Sequence, residues 1–160
     1  MLVIKRTHRR ARGFTLLEAM VAMSILAILA GLAAANFSPI VNSARIRAAA
    51  LDFSTDLAMA RSEAIKRNTE VTLAFDSGNW ASGWSVTASG VATPIQRRNA
   101  LATGIGSSST AGSFVFNGSG RPATSGSVTF CPPTNVNTSG RRISIDTIGL
   151  PRSETLATCP

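Results

Sequence analysis

Few residues in this 160-residue sequence have side chains suited to catalysis. The only histidine is His8, there are two cysteines, and lysine occurs only at positions 5 and 66. One histidine cannot supply both a catalytic triad and a zinc site, and two cysteines are too few for a cysteine-based metal centre. No GxxxxGK(S/T) motif for nucleotide phosphates is present. We therefore expect a structural or binding protein that is not an enzyme, with neither a metal nor a cofactor.

Basic residues are concentrated at the N-terminus. The first twelve positions hold five of them, and the first acidic residue is Glu18; the five are Lys5, Arg6, Arg9, Arg10 and Arg12. The formal net charge of the whole chain is +8, but without these five it is +3, from eleven bases and eight acids. The high charge is therefore mostly a property of the N-terminal stretch and does not by itself indicate a nucleic-acid-binding protein.

A long apolar run follows the basic stretch. Residues 14–44 read FTLLEAMVAMSILAILAGLAAANFSPIVNSA, and Glu18 is their only charge. The uncharged residues 19–44 would extend about 39 Å as a helix, which exceeds the roughly 30 Å of a bilayer's hydrocarbon core. The basic flank predicts that the N-terminus stays in the cytoplasm and that the rest of the chain crosses the membrane.

Two ordinary interpretations of this run compete: a cleaved secretory signal, with Ala33-Ala34-Ala35 as the small residues at its end, and a plain membrane anchor. Neither explains Glu18. A carboxylate inside a membrane segment costs about 2.5–3.5 kcal/mol on insertion scales, so it indicates a further role.

The stretch KRTHRRARGFTLLEAMVAMSILAIL resembles a class III prepilin leader, which is typical of type IV pilins and of the pseudopilins of type II secretion. The resemblance implies that residues 1–13 are a leader that prepilin peptidase removes after Gly13, and that Phe14 becomes the N-methylated N-terminus. It also implies that Glu18 pairs with the free amino terminus of a neighbouring subunit and so directs filament assembly.

Beyond Pro39 an amphipathic pattern predicts that the helix continues to about residue 67, with a bend near the proline and a stop at Asn68. The charged residues of 45–67 are expected on its solvated side. The apolar face expected to pack on the C-terminal domain consists of Val41, Ala44, Ala48, Leu51, Ala58, Met59 and Ile65.

Two further stretches resemble the FimT/FimU branch, which is related to the H-type (GspH-like) pseudopilins. One is ARSEAIKRN at residues 60–68 followed by Val71-Thr72-Leu73, and the other is WASGW at residues 80–84. The resemblance implies that WASGW opens a strand after the first hairpin. Core packing is the expected role of Trp80 and Trp84.

The apolar period changes from 3.6 to 2 after residue 71, which indicates strands. The alternating positions are Val71/Leu73/Phe75, Trp84/Val86/Ala88, Phe114/Phe116, Val128/Phe130 and Ile143/Ile145. Turn-rich pieces separate them, and residues 104–113 (GIGSSSTAGS) are expected to form a mobile loop. We predict an α+β fold in which a long N-terminal helix, first transmembrane and then amphipathic, packs on a small antiparallel sheet, as in the pilin fold.

Cys131 and Cys159 are expected to form a disulfide, because the compartment beyond the inner membrane is oxidising; two separate buried thiols are the alternative. A bridge would close a loop of 29 residues, counting both ends, and would stabilise the domain by about 3–4 kcal/mol.

Arginines in the C-terminal region are candidate phosphate contacts, namely Arg141, Arg142 and Arg152. FimT-like pilins that bind DNA during natural transformation carry a Gly-Arg-x-Arg motif near the C-terminus, which these residues resemble. Here Gly149-Leu150-Pro151-Arg152 stands in the corresponding place without the first arginine. Arg141 and Arg142 could replace it, or could only solvate the edge of a strand.

The sequence thus predicts four segments: a leader at 1–13, a transmembrane half-helix at 14–40, an amphipathic half-helix at 41–67 and a β-domain at 68–160. The resemblance implies a minor pilin-like subunit of a type IV pilus, in the bacterial inner membrane with a periplasmic domain, which acts in assembly and could bind DNA. The alternative is the H-type pseudopilin of a type II secretion system.

A first prediction concerns processing. We expect the mature chain to begin at Phe14, and Gly13→Val to leave the full-length form in the membrane, because the peptidase cuts after the glycine. Intact-mass measurement of the membrane protein distinguishes the two forms. A mature terminus near Asn36 would instead indicate an ordinary signal peptidase and would contradict the prepilin interpretation.

Overall fold

The structure, a computed structural model, describes residues 13–34, 37–132 and 138–159. The chain divides between Ser38 and Pro39 into two compact units. Helix α1, Leu16–Ala34, lies in the first unit. Helix α2, Phe37–Arg67, begins two residues before the division, and from Pro39 onward it belongs to the second unit, which also contains the strands.

Helix α1 is apolar on every side. Thr15 caps its N-terminus, since its hydroxyl oxygen accepts a hydrogen bond from the Glu18 backbone N–H at 3.2 Å. The large side chains are exposed all around it; they are Leu16, Leu17, Met20, Val21, Met23, Ile25, Leu26, Ile28, Leu29 and Leu32. A helix without a polar face is typical of a segment that another apolar phase covers.

The end of α2 agrees with the sequence prediction. The helix ends at Arg67, and Asn68 adopts the left-handed conformation with φ of 49°. The Thr69 backbone N–H donates a hydrogen bond to the Ala64 carbonyl at 3.2 Å, which closes the last turn.

The start of α2 contains Pro39, where the sequence predicted a bend. Pro39 is the third residue of the helix, and a proline within the first turn removes no intrahelical hydrogen bond, so α2 requires no bend there.

The apolar face predicted for α2 is wrong except at Met59, which is partly buried against the core. Leu51 and Ile65 are 68% and 51% exposed, and Ala44, Ala48 and Ala58 are exposed as well. The buried stripe consists instead of Ile46, Ala49, Ala50, Phe53, Asp56, Leu57, Ala60 and Ala64. Alanines occur on all sides of this helix and give little contrast, so the position of one large residue, Phe53, shows which face is buried.

Within the described residues, eight strands follow the helices. Their bounds are β1 Val71–Phe75, β2 Trp84–Ala88, β3 Gln96–Arg98, β4 Gly106–Ser109, β5 Ser113–Phe116, β6 Gly126–Cys131, β7 Gly140–Ile145 and β8 Pro151–Leu156. They form two four-stranded antiparallel sheets, in the orders β3-β2-β1-β5 and β4-β6-β7-β8. The predicted α+β architecture is confirmed, with two sheets where one was expected.

All five alternating segments are strands, but polar strands were missed. Residues 106–109, expected in a mobile loop, form β4 and pair with β6; β3 and β8 were also not predicted. These segments carry Gln, Arg, Ser and Glu, so period-2 hydrophobicity cannot reveal them. WASGW does not follow the first hairpin but lies within it, because Trp80–Ser82 is a 3-10 turn and Trp84 begins β2.

Aromatic rings join α2 to both sheets. The Phe53 ring lies 5.0 to 6.1 Å, centre to centre, from four other rings in edge-on contacts; these belong to Trp80, Trp84, Phe114 and Phe130. Because Phe114 lies on β5 and Phe130 on β6, one helix residue touches both sheets. The two tryptophans are core residues, each 1% exposed, as the sequence indicated.

One carboxylate lies inside this core. Asp56 is 2% exposed, although it was expected on the solvated side of α2. It accepts hydrogen bonds from the Trp84 indole N–H at 2.8 Å and from the Arg98 guanidinium at 2.9 and 3.2 Å. The hydrogen bond to Asp56, with the nearby charges of Asp56 and Asp52, raises the pKa of Arg98. Asp56 therefore fixes α2 to β2 and β3 at once.

A second prediction tests this arrangement. Asp56→Ala should lower the free energy of unfolding by about 2–4 kcal/mol, because the Trp84 indole and the partly buried Arg98 lose their acceptor. The control is Asp52→Ala: Asp52 lies 3.5 Å from Arg98 and is half exposed, so its loss should cost less than about 1 kcal/mol. Urea unfolding followed by tryptophan fluorescence measures both, and equal losses in the two variants would contradict a special role for Asp56.

Candidate functional site

The N-terminal site predicted from the sequence is described only from Gly13 onward, and leader residues 1–12 lie outside the described residues. Phe14, the expected mature terminus, is 84% exposed. Glu18 lies in the first turn of α1, where a negative charge interacts favourably with the helix dipole. Among the described residues, no side-chain cation contacts its carboxylate.

The length and composition of the helices can be compared with the thickness of a membrane. Among the described residues, no single helix is both long and apolar enough to span one; residues 16–32 and helix α2 pass that test only when taken together.

Cys131 and Cys159 form a disulfide, with their Cα atoms 5.9 Å apart. Cys131 is the last residue of β6, and Cys159 lies three residues after the end of β8, so the bridge passes across β7, which lies between those two strands. Gly140, the first residue of β7, leaves room for the disulfide. A Cβ at this position would lie 2.6 Å from the Cys159 sulfur and 3.1 Å from the Phe130 carbonyl oxygen. The bridge therefore fixes the chain beyond β8 to the second sheet.

The three candidate DNA-binding arginines do not share one surface. Arg142 is paired with Glu154 in the sheet, and Arg152 with Ser144, so Arg142 and Arg152 project from the same face. The Arg142 guanidinium donates to Glu154 at 3.3 Å. Arg141 has the opposite orientation, towards α2.

Arg141 lines a cavity between α2 and the second sheet. The cavity has a volume of about 190 Å³, and its walls are Arg47, Ala50, Leu51, Ser54, Arg141 and Ser153. Sequence reasoning treated Arg47 as part of a solvated helix face and missed its proximity to Arg141. The two residues are far apart in sequence, and only the packing of α2 on β7 brings them together.

A larger cavity, of about 310 Å³, lies farther along α2. It is lined by Ala58, Arg61, Ser62, Ile65, Gly149, Leu150 and Pro151. The Arg61 Nε is buried without a hydrogen-bond partner among the described residues. The sequence offered no signal for this cavity, because its walls come from a helix and from a turn more than eighty residues later.

No arrangement for metal binding is present in the described part of the chain: its His, Cys, Asp and Glu residues form no group of three or more that could hold an ion. The chemical capacity of the described residues therefore lies in arginines, in one exposed carboxylate on an apolar helix and in exposed apolar surface.

Solved structures resemble this fold. The type IV minor pilin FimU of Pseudomonas aeruginosa has a TM-score of 0.63 and 23% identity, and the match covers 76% of this chain and 97% of that one. The minor pseudopilin EpsH of the type II secretion system of Vibrio cholerae has a TM-score of 0.57 and 15% identity, with 69% and 97% covered. No curated protein matches the chain.

Two family models match the sequence. The prokaryotic N-terminal methylation motif matches residues 8–34, which include Gly13, Phe14 and Glu18. The model of the type II transport protein GspH matches residues 49–149, more than half of the chain. The chain therefore belongs to the GspH family and carries the N-terminal methylation motif ahead of the region that defines the family.

Proposed function

We propose that this chain is a non-enzymatic minor subunit of a type IV pilus, which enters the filament through α1 and acts in its assembly. The observation that carries the proposal is the exposed apolar surface of α1 with Glu18 as its only charge. Leu16 and Met23, for example, are 79% and 70% exposed. Water is an unfavourable environment for such a surface, so lipid or the helices of other subunits must cover it.

Glu18 gives this association its direction. In an apolar environment a carboxylate requires a cation or a proton, and the amino group of Phe14 on a neighbouring subunit would supply the cation. Before assembly α1, together with the first residues of α2, anchors the chain in the inner membrane, with the β-domain in the periplasm. Prepilin peptidase, which removes the leader after Gly13, and other pilins are the partners in this scheme.

The alternative is the H-type pseudopilin of a type II secretion system, which would use the same helix in a shorter filament. The disulfide and the arginine-bearing C-terminal region favour the pilus. The two systems are distinguished by where the tagged chain is found: in sheared surface pili, or in a periplasmic assembly that secretion components pull down.

A third prediction concerns Glu18. Glu18→Ala should remain in the membrane, because removing the carboxylate makes insertion more favourable, but its amount in sheared pili should fall at least tenfold. Quantitative immunoblotting of membrane and pilus fractions measures both. Ser24→Ala is the control and should be incorporated normally, because it removes another polar group from α1 whose hydroxyl bonds within the helix, to the Met20 carbonyl at 2.8 Å. Normal incorporation of Glu18→Ala would show that assembly does not depend on this charge.

A second candidate function is DNA capture during natural transformation, and one observation favours it. Arg142 and Arg152 project from the same face of the second sheet, where both can reach one phosphate backbone. Contacts of this kind are independent of base sequence, because they involve phosphates and not base edges.

A fourth prediction tests DNA capture. If both arginines contact phosphates, Arg142→Ala with Arg152→Ala should reduce the slope of log affinity against log salt by about two on duplex DNA. Arg141→Ala is the control, because Arg141 faces α2, and it should change the slope by less than about 0.5. Fluorescence anisotropy with a labelled duplex at several salt concentrations gives the slopes. An unchanged slope in the double variant would remove these two residues as the DNA site.

A further inference from the structure

The two cavities beside α2 lie in line along one side of the helix, because the helix residues that line them recur every three or four positions. The first is opposite residues 47–54 of α2, and the second is opposite residues 58–65. The other wall comes from the second sheet. It consists of Arg141 of β7, residues 149–150 of the turn before β8, and Pro151 and Ser153 of β8. We call the two cavities together the α2–β8 groove. From residue 47 to residue 65 the groove extends about 27 Å along the helix.

The groove exposes apolar side chains. Leu51, Leu150 and Ile65 are 68%, 53% and 51% exposed. Ala58 and Ser62 lie between Leu51 and Ile65 on α2, and their small side chains leave the floor of the groove open. Exposed apolar residues that are gathered along one groove, and not scattered over the surface, are typical of a binding surface.

The charge of the groove has one sign. Among the residues that line the two cavities there are three arginines, Arg47, Arg61 and Arg141, and no acidic residue. The Arg61 Nε is buried without a partner in the described part of the chain, which is unfavourable for a charged group. A carboxylate placed in the groove would give the guanidinium groups an oxyanion to pair with.

Strand β8 borders the groove and is at the edge of its sheet. It pairs with β7 on one side, while no other described strand pairs with its second side. The backbone groups of an edge strand can pair with an added extended segment. The groove thus combines apolar contact, positive charge and backbone hydrogen-bonding capacity.

We propose that the α2–β8 groove binds an extended, acidic and apolar segment of a partner protein. Apolar side chains of the segment cover Leu51, Ile65 and Leu150, and its carboxylates pair with the three arginines. A peptide fits these residues better than a nucleic acid does, because phosphate contacts would use the arginines and leave the apolar residues exposed. This docking surface is separate from α1, so it does not depend on assembly through Glu18.

The experiment measures binding of a fluorescein-labelled twelve-residue peptide that alternates valine and glutamate. The processed full-length chain is held in phosphatidylcholine nanodiscs, and empty nanodiscs give the background. Fluorescence anisotropy should show saturable binding that weakens at least fivefold in Arg61→Ala and in Arg141→Ala. Ser62→Trp, which fills the larger cavity from an exposed position, should weaken binding at least tenfold.

Two controls make the result specific. Arg45→Ala removes an exposed arginine of α2 that lines neither cavity, and it should change the affinity less than twofold. A peptide that alternates valine and lysine should not bind. Absence of binding by the valine–glutamate peptide at low salt, or equal affinity in Arg45→Ala and Arg61→Ala, would overturn the proposal.

A further titration tests whether the groove binds nucleic acid and not a peptide. Duplex DNA is titrated into the complex of the chain with the labelled peptide. If DNA displaces the peptide, and if its own binding is lost in Arg61→Ala and Arg141→Ala, the groove is a phosphate site and the proposal is wrong. If DNA leaves the peptide bound, or binds these two variants as it binds the parent, the peptide assignment stands.

Discussion

The buried carboxylate of Asp56 determines how the second unit is arranged. A carboxylate with 2% exposure is tolerated only when both of its oxygens have donors, and here they accept from the Trp84 indole and from the Nε and Nη2 of Arg98. Trp84 lies on β2 and Arg98 on β3, whereas Asp56 lies on α2. The rotation of the helix about its own axis is therefore fixed relative to the first sheet, and Phe53, one turn earlier, is placed between the two sheets.

This rotation decides which residues of α2 are available to other molecules. With Asp56 and Phe53 facing inward, Leu51 and Ile65 must face outward, and Arg47 and Arg61 are carried to the side that borders β8. If the helix turned by about half a revolution, Leu51 would replace Phe53 on the inner face, and the ring contacts that join α2 to both sheets would be lost. The α2–β8 groove is thus a consequence of the same packing that buries Asp56.

The sequence predicted those parts of the fold that depend on neighbouring residues. Basic stretch, glycine and Glu18 lie within twenty positions, Asn68 ends the helix locally, and each of the five alternating strands carries its own apolar period. What it could not predict depends on long-range contact. Asp56 looked like a surface residue because its partner, Arg98, is 42 positions away, and Arg47 became a neighbour of Arg141 only through the tertiary fold. Polar strands such as β4 and β8 are held by pairing with β6 and β7, for which a single strand carries no signal.

Glu18 and Asp56 show the same physical problem with different outcomes. Each is a carboxylate on a helix among apolar residues, and in each case the charge is unfavourable unless a cation or several hydrogen bonds accompany it. Asp56 finds its donors within the second unit. Glu18 has no such cation among the described residues, and the apolar residues of α1 that surround it are exposed and uncovered by the rest of the unit. Once lipid or other helices cover α1, that carboxylate needs a cation or a proton, and a second molecule can supply the cation. On this ground we propose that α1, and not the β-domain, is the element through which the chain assembles.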